Sequence, residues 1–399
     1  MSVELNELRD SVHRVIKGIE LPGAETLIWS QCVELGWLLT AMPEELDGLG
    51  MGDAGTNAVH LELGRGLSSA PCLPAMLAID ALCQSDLADK TDWLQKLTGG
   101  ELMTSSLADC KVIREGDRLS GSLSAVQSAD SASHVLVWTE NGNAVVLVTL
   151  KQEGVQTLAR KTWDETRRFY DVHLNSVSLA EQTLLAEGEA AQKLLARLLA
   201  QRDFGLAADS VGAATALLAM TVEHLQSRVQ FRRPLAMFQS LKHRCADMKA
   251  LIAASEAQLF HALASAQAEQ KAQAAKLLAC SSFAKVAEEA LQLHGGGDAG
   301  LALLRLDVEG RALVRVLAVA HLLGLDELAV EGAREGAAGL GGQGLGGLVD
   351  GAQVVGDHAV VGRGVLEGLE CQVEALGVAQ AAGLERVDDA GVIAGVDHD

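Results

Sequence analysis

The feature that most constrains this fold is a change in hydrophobic period along the chain, from helical to strand-like and back to helical. In residues 1–98, "ELNELRDSVHRVI" repeats apolar residues every three or four positions, which is typical of a helix with one apolar face. Residues 99–185 hold short alternating runs such as "SHVLVWTE" and "AVVLVTLKQ", separated by Gly, Asn and Asp turns. Residues 186–294 return to the helical period. The pattern predicts an α+β fold with an N-terminal helical domain, a small central β domain and a C-terminal helical bundle.

Three long helices are predicted in residues 186–294. The first has one apolar face formed by Val211, Ala214, Leu218, Val222, Leu225 and Val229. The second covers "PLAMFQSLKHRCADMKALIAASEAQLFHALASA", with Pro234 in its first turn, where proline is favoured. The third, "QKAQAAKLLACSSFAKVAEEALQLHGG", is predicted to end at its glycines.

The tail, residues 295–399, has an unusual composition. It contains no Lys, Ser, Thr, Asn, Met, Phe, Tyr, Trp or Pro, and only Cys371 and Ile393 fall outside the set Gly, Ala, Val, Asp, Glu, Leu, His, Gln and Arg. Those nine residues, with Pro, are the amino acids whose codons can begin with G or C. This is what a GC-rich gene yields when it is read out of frame. We interpret the tail as frame-shifted from a point between Val286 and Gly297; the alternative is a genuine low-complexity segment.

Charge and composition exclude several classes of protein. The formal net charge of −21 argues against general nucleic-acid binding, which needs a basic surface. No apolar run approaches the ~20 residues that span a bilayer, and the N-terminus lacks a signal-peptide core. The seven cysteines form no CxxC pair, which predicts reduced thiols in the cytoplasm and no zinc site.

One segment departs from the acidic character of the chain. "RVQFRRPLAMFQSLKHRCADM", residues 228–248, groups cationic side chains with Phe231 and two glutamines, Gln230 and Gln239. A guanidinium presents a planar fork that matches phosphate oxygens, and an aromatic ring can cover a nucleobase. The alternative is that these cations are solvated helix ends.

Three stretches in order resemble the acyl-CoA dehydrogenase family. They are "ELGWLLTAMPEELDGLGMG" at 34–52, the cationic segment, and "LQLHGGG" at 291–297. The resemblance covers about residues 1–296 and shares the helical, β, helical order. It implies an FAD enzyme that forms an α,β double bond in an acyl-CoA thioester and passes a hydride to flavin, in fatty acid or steroid catabolism.

The resemblance also implies site residues. Arg228, Gln230 and Phe231 would reach across a subunit interface to the pyrophosphate and adenine end of FAD in a neighbouring subunit, with Gln239 following. The turn of Gln292, Gly295 and Gly296 would bring backbone amides close to the same dinucleotide.

Other positions depart from the family pattern. Arg232 stands where the family has glycine. The two motifs that embrace the flavin ring, a Thr-Glu-Pro-Gly-like loop and a Trp-Ile-Thr-like strand, are replaced by "SSLADCKVIREG" and by Ala125–Val126–Gln127. Ser105 and Ser128 could still offer hydroxyls there.

No catalytic carboxylate is assigned. In most members the base lies beyond the glycine turn, in the region interpreted as frame-shifted. In others it lies at the position of Arg202, and Asp203 is one residue, or about 100° of helix, away. Asp203 and Asp209 are six residues apart and form no acid–base pair.

Two weaker patterns are set aside. "GMGDAG" at 50–55 matches G-x-G-x-x-G but lacks the βαβ context of a nicotinamide site. His224, His243 and His294 lack ligand spacing, so no metal site is predicted.

Three functions stay open. The first is an FAD-dependent acyl-CoA dehydrogenase that passes electrons to an electron-transfer flavoprotein. The second is a non-catalytic subunit of a heteromeric dehydrogenase that lends Arg228 to a neighbour's FAD. The third is an inactive product of the frame shift. The first two imply a homo- or hetero-oligomer, a dimer or tetramer, with no membrane or nucleic-acid partner.

Overall fold

Helices lie at both ends of residues 3–294 and strands lie between them. The structure is a computed structural model that describes residues 3–17, 25–108, 110–161, 167–294, 352–355 and 358–361. The helices are α1 (Val3–Lys17), α2 (Glu25–Glu34), α3 (Gly52–Arg65), α4 (Cys72–Gln84), α5 (Lys90–Thr98), α6 (Gly188–Ser227), α7 (Gln239–Leu263) and α8 (Ala268–Leu293). The strands are β1 (Met103–Ser105), β2 (Cys110–Glu115), β3 (Arg118–Gln127), β4 (His134–Trp138), β5 (Ala144–Thr149), β6 (Val155–Arg160), β7 (Phe169–Ser178), β8 (Thr183–Glu187), β9 (Val229–Gln230) and β10 (Arg233–Pro234). The predicted α+β class is confirmed.

The amino-terminal helices follow the apolar periodicity of their sequence. Val12 and Ile16 of α1 and Ile28 and Cys32 of α2 are buried in one core. Between α2 and α3 the chain forms two 3₁₀ turns, Trp37–Ala41 and Glu44–Leu46. Gly52 begins α3 directly after this loop, so only Gly50 and Met51 of "GMGDAG" lie in the loop and the other four residues belong to the helix.

The β region consists of two four-stranded sheets. Their strand orders are β1-β4-β5-β8 and β2-β3-β7-β6. The alternating burial of β2, with Val112 buried and Lys111 exposed, is that of a sheet with one face in the core. β3 carries a register shift between Leu123 and Val126, and Ala125 within it has a left-handed φ of 51°. This bulge bends β3 and changes the direction of its last residues.

Two glycines let α3 and α6 approach closely. A Cβ at Gly212 of α6 would lie 1.9 Å from the carbonyl oxygen of Leu61, and one at Gly64 of α3 would lie 2.3 Å from that of Asp209. No side chain fits at these contacts. The pair therefore fixes α6 against the amino-terminal helices.

The length and composition of α6 would allow it to cross a membrane, contrary to the sequence expectation that no such run exists. Its most apolar 18-residue window is 67% buried inside the protein. Phe204 and Val211 of this helix pack with Phe283 and Val286 of α8 in a second core. The burial is that of a core helix.

Three details of the predicted C-terminal helices are corrected. Pro234 lies in β10, and α7 begins five residues later, at Gln239. Val229 lies beyond the end of α6 and is 55% exposed, so it does not belong to the buried face. The third helix ends at Leu293, and the glycines predicted to stop it lie outside the described residues. The domain boundaries 1–98, 99–185, 186–294 and 295–399 stay predictions.

The tail belongs in part to a second compact unit, Leu325–Asp399. Its described residues form one antiparallel hairpin, β11 (Ala352–Val355) with β12 (His358–Val361). The interval in which the frame shift is expected to begin, Val286 to Gly297, overlaps the end of α8 as far as His294, and the rest of it lies outside the described residues.

The cysteines of the described chain are free thiols, namely Cys32, Cys72, Cys83, Cys110, Cys245 and Cys280. The sulfurs of Cys32 and Cys72 lie 2.9 Å apart, and both residues are buried. Burial raises the pKa of Cys32, which keeps this thiol protonated and unreactive.

Candidate cofactor-contact site

The cationic segment forms a short hairpin between α6 and α7. Strand β9 pairs antiparallel with β10, placing Gln230 opposite Arg233 and Val229 opposite Pro234. The two turn residues, Phe231 and Arg232, have φ values of 52° and 63°. Two consecutive positive φ angles indicate a type I′ turn, which usually requires Asn or Gly. We call residues 228–238 the Arg228 hairpin.

Aromatic and cationic side chains meet on this hairpin. Phe231 is 81% exposed, and its ring lies 6.0 Å from that of Phe238 in an edge-to-face arrangement. The guanidinium carbon of Arg233 lies 3.9 Å from the centre of the Phe238 ring. A cation on an aromatic face stabilises both side chains. Residue spacing does not predict the contact between Arg233 and Phe238, because the 3₁₀ turn Leu235–Met237 that lies between them brings them together.

The predicted contact residues lie on two neighbouring helix ends. Arg228, Gln230, Phe231 and Gln239 are exposed on or beside the hairpin, and Gln239 lies 3.5 Å from His243. Gln292 is exposed in the last turn of α8.

A histidine pair links the ends of α6 and α8. The rings of His224 and His294 stack with centroids 4.2 Å apart and an interplanar angle of 21°. His224 lies four residues before Arg228, so the end of α8 is beside the start of the hairpin. Gly295 and Gly296, the other two predicted residues, lie outside the described residues. The roles of all seven stay predictions.

The described residues were compared with the side-chain arrangements that bind metal ions. Across the ranges given above, no group of three His, Cys, Asp or Glu side chains is arranged to hold a metal ion. His224 and His294 lie 70 residues apart in the sequence, so the contact between their rings could not be recognised from residue spacing.

The strand expected to embrace a flavin ring is covered by the protein itself. Ala125, Val126, Gln127 and Ser128 are each at most 2% exposed. The loop after β1 bridges to this strand at Ser106 and Val126. Side chains add further bonds: Thr104 Oγ1 donates to the Gln127 carbonyl at 2.7 Å, and Ser106 Oγ donates to the Ser124 carbonyl at 2.6 Å.

Hydrogen bonds from the amino-terminal helical region cover the same segment, residues 125–128. Gln127 Nε2 donates to the carbonyl of Ser69, before α4, at 2.8 Å. Ser128 Oγ donates to Glu25 Oε1 at 2.8 Å, and Arg168 donates to the same carboxylate. The hydroxyl of Ser128 is therefore already engaged. Ser105 Oγ is buried without a hydrogen-bond partner in the described chain.

The carboxylates near the expected base position are held by cations. Arg202 donates to the Ala108 carbonyl at 3.0 Å and contacts Asp203 at 3.2 Å, while Lys276 Nζ lies 2.8 Å from Asp203. Asp209 accepts a bond from Arg167 at 3.0 Å instead. The two aspartates form separate ion pairs, in agreement with their predicted separation.

These observations test whether FAD fits this chain. An exposed hairpin with Arg228, Gln230 and Phe231 fits contact with a pyrophosphate and an adenine supplied from outside the chain. The segment 125–128 does not fit a flavin ring, because its side chains are buried against Ser69, Glu25 and the loop after β1.

A comparison with known proteins decides the family. The chain is 32% identical over 275 residues to acyl-CoA dehydrogenase IpdE2 of Mycobacterium tuberculosis, covering 69% of this chain and 76% of that protein. The chain belongs to the acyl-CoA dehydrogenase family. It is thus placed with oxidoreductases that act on CH–CH bonds, and the resemblance seen in the sequence is confirmed.

The family model of the acyl-CoA dehydrogenase C-terminal domain matches residues 192–327. This match includes α6, the Arg228 hairpin, α7 and α8. It also continues past residue 296, where the sequence resemblance was expected to end.

Two solved structures agree with the fold. The Tcur3481–Tcur3483 steroid ACAD is 26% identical with a TM-score of 0.68, covering 84% of this chain and 99% of that one. The ChsE4–ChsE5 complex of Mycobacterium tuberculosis is 24% identical with a TM-score of 0.68, covering 81% and 94%. The latter likeness shows the fold alone.

Proposed function

We propose that this chain is a subunit of an FAD-dependent acyl-CoA dehydrogenase and lends its Arg228 hairpin to FAD held by a neighbouring subunit. The assembly removes two hydrogens across the α,β bond of an acyl-CoA thioester. The observation that carries the proposal is the contrast between the exposed Phe231 and the buried strand end at Gln127. One end of a dinucleotide site is presented outward, while the place for the ring is filled.

Each residue of the hairpin has a distinct task in this proposal. Arg228 provides a planar donor fork for phosphate oxygens, and Gln230 adds an amide. Phe231 offers an aromatic ring for the adenine, since its side chain is 81% exposed. FAD supplies the hydride acceptor when it is bound. In this proposal the hairpin residues hold the cofactor, and no catalytic base is assigned.

The neighbour that supplies the flavin ring is best matched by a different chain. A second copy of this chain would have the same filled strand end, so a homo-oligomer would lack a place for the ring. Both solved structures described above carry the names of two different chains. We therefore propose a hetero-oligomer, working in the cytoplasm, that acts on fatty or steroid acyl-CoA and delivers electrons to an electron-transfer flavoprotein by family analogy.

A second candidate is a homo-oligomeric dehydrogenase that binds FAD by itself. Its support is the family, whose curated relatives are named as acyl-CoA dehydrogenases. For this function the segment from Ala125 to Ser128 would have to open and break the bonds to Ser69 and Glu25.

The deciding experiment compares the chain alone with the chain co-expressed with its genomic neighbour. We expect a flavin absorption band only in the mixed complex, with less than one FAD per subunit. Stoichiometric FAD on the lone chain would support the second candidate. Insolubility in both preparations would indicate the inactive frame-shifted product.

A pair of variants assigns the hairpin. Arg228→Ala in the mixed complex is expected to lower FAD retention at least about tenfold, the effect of losing a charge-assisted bond. Lys193→Ala removes an exposed cation from the first turns of α6, far along the chain from the hairpin; it is the matched control and should retain FAD. Equal retention by both variants would contradict the assigned role.

A further inference from the structure

Arg232 lies at the tip of the Arg228 hairpin in a conformation that its residue type disfavours. Its φ is 63°, in the left-handed region, and it follows Phe231, whose φ is 52°. Glycine adopts this conformation without the steric penalty that a Cβ brings. Backbone strain of this kind persists only where the surrounding structure imposes it, and it is concentrated at functional sites. The presence of arginine at this position therefore points to a task for its side chain.

The rest of the hairpin imposes this conformation on the turn. The amide of Leu235 donates to the carbonyl of Arg228 at 2.9 Å, and the side chain of Leu235 packs against the second core. The guanidinium of Arg233 lies over the ring of Phe238. Because the tip is presented on a fixed frame, little conformational entropy is lost when it binds a partner.

The guanidinium of Arg232 has no partner among the residues that the structure describes. Arg232 is exposed, and its side chain makes no hydrogen bond or ion pair with any of those residues. Arg233 beside it differs, since it stacks on Phe238. A guanidinium has five N–H donors and a charge that is not lost in proteins, so it matches an anionic oxygen. We therefore expect the partner of Arg232 to be a carboxylate or a phosphate of another molecule.

Apolar side chains on the same hairpin favour a protein as the source of that oxygen. Val229 is 55% exposed and Met237 is 58% exposed. The bases, sugars and phosphates of a dinucleotide offer little aliphatic surface to cover these two side chains, whereas a protein offers it readily. Arginine, methionine and aromatic residues are enriched where proteins contact each other, and the hairpin combines all three types.

The charge of the segment favours an acidic surface on that protein. From Arg228 to Ala246 the sequence holds five Lys or Arg residues and no Asp or Glu, although the whole chain has a net charge of −21. Opposite charges bring two proteins together and fix their relative orientation, and salt weakens this effect. The cationic hairpin thus fits a chain that presents carboxylates.

We propose that Arg232 binds a carboxylate of the neighbouring, FAD-holding chain and so selects that chain as the partner. Val229 and Met237 lie against apolar side chains around this carboxylate. The hairpin then has a protein contact at its tip, separate from the cofactor contact assigned to Arg228. The inference rests on the proposed function, because that function requires the neighbouring chain.

The test measures the association of the two chains with and without FAD. The product of the genomic neighbour is titrated with this chain by isothermal calorimetry, once loaded with FAD and once stripped of it. Arg232→Gly is expected to raise the Kd at least about tenfold with both forms, as the loss of an arginine at the centre of an interface does. The Kd should also depend less on salt, because one ion pair is absent.

Two further variants separate the charge from the backbone strain. Arg232→Lys keeps the charge but lacks the planar fork, so its Kd should lie between that of the unaltered chain and that of Arg232→Gly. Lys151→Gly, at an exposed position between β5 and β6, is the matched control and should associate as the unaltered chain does. The lone Arg232→Gly chain should unfold at a higher temperature than the unaltered chain, which separates weaker association from a failure to fold.

Three results would overturn the proposal. They are an unchanged Kd in Arg232→Gly, a loss of affinity confined to the FAD-loaded form, and the same loss in a complex of two copies of this chain. The second result would identify a phosphate of FAD as the partner, and the third an acidic surface of this chain itself. The first two leave the proposed function intact, whereas the absence of any mixed complex would overturn that function and this inference with it.

Discussion

The side-chain amide of Gln127 donates a 2.8 Å hydrogen bond to the backbone carbonyl of Ser69, which lies 58 residues earlier in the sequence. Gln127 ends β3, and Ser69 precedes α4, so the bond holds the β region to the amino-terminal helices. Both residues are buried, at 2% and 3% exposure. The bond occupies the strand end at which the sequence resemblance predicts a flavin ring.

Removing this bond should destabilise the chain without restoring flavin binding. Gln127→Leu leaves the Ser69 carbonyl buried and unpaired, which costs about 1–3 kcal/mol. Gln156→Leu, at an exposed position on β6, is the control and should change the free energy of unfolding by less than about 0.5 kcal/mol. Urea unfolding measures both. A variant that unfolds like the control, or that gains stoichiometric FAD, would contradict the role given to Gln127.

The turn of the Arg228 hairpin carries backbone strain that glycine can release. Arg232 has a φ of 63°, and a left-handed conformation costs a side-chain-bearing residue roughly 1–2 kcal/mol. Arg232→Gly should therefore stabilise the chain by about 0.5–1 kcal/mol, after the extra entropy of glycine is subtracted.

Arg233→Gly is the matched change next to it. Arg233 lies in β10 and stacks on Phe238, so this change should destabilise the chain. Thermal unfolding of both variants gives the comparison. If both variants change the unfolding temperature in the same direction, the turn is not strained.

His60 should make stability depend on pH. Its pKa is lowered to about 4 by burial, below the ordinary value of 6.5 in the unfolded chain. Between these values the unfolded state binds more protons, so stability is complete above pH 6.5 and falls as the pH drops toward 4. The full effect is about 3 kcal/mol. In His60→Gln the difference in unfolding free energy between pH 7 and pH 5 should shrink, and an unchanged difference would argue against burial of His60.

Arg197 should stabilise the chain more at high pH than at low pH, because it pairs with the carboxylate of Asp80. Burial raises the pKa of Asp80, and Arg197 opposes that rise. In Arg197→Met the carboxylate loses its counter-charge, and a cost of about 1–3 kcal/mol is expected at pH 8. Because the pKa of Asp80 is then raised further, lowering the pH protonates it and the cost decreases. Urea unfolding at pH 8 and pH 5 measures this; an equal cost at both would show that Asp80 does not depend on Arg197.

The order of elements was predictable because hydrophobic period is a local property. The three helices of residues 186–294 and the short strands before them follow from apolar spacing and turn residues. The start of α7 was not predictable in this way. Leu235, Phe238 and Leu241 keep a helical spacing across the hairpin, so Pro234 looked like the first turn of a helix. The pairing of β9 with β10 and the cap at Phe238 override that pattern.

The candidate site was predictable only where it lies within one segment. Arg228, Gln230 and Phe231 are adjacent in sequence and were found by resemblance. The stack of His224 on His294 and the bond from Gln127 to Ser69 join distant segments. Side-chain packing creates both, and no spacing rule reveals such contacts from one sequence. His60 gave no signal either, because a polar residue on a buried helix face is recognised only once the neighbours are placed.

The continuous helix α6 determines where the hairpin can act. It runs for 40 residues, which is about 60 Å at 1.5 Å per residue, and Gly212 locks its middle against α3. Inserting a single residue between Gly212 and Ser227 would turn the hairpin by about 100° around the helix axis and move it outward by about 1.5 Å. Outside the close contact at Gly212, the number of residues in α6 therefore matters more than their identity, because an insertion or deletion would turn Phe231 away from a neighbouring subunit.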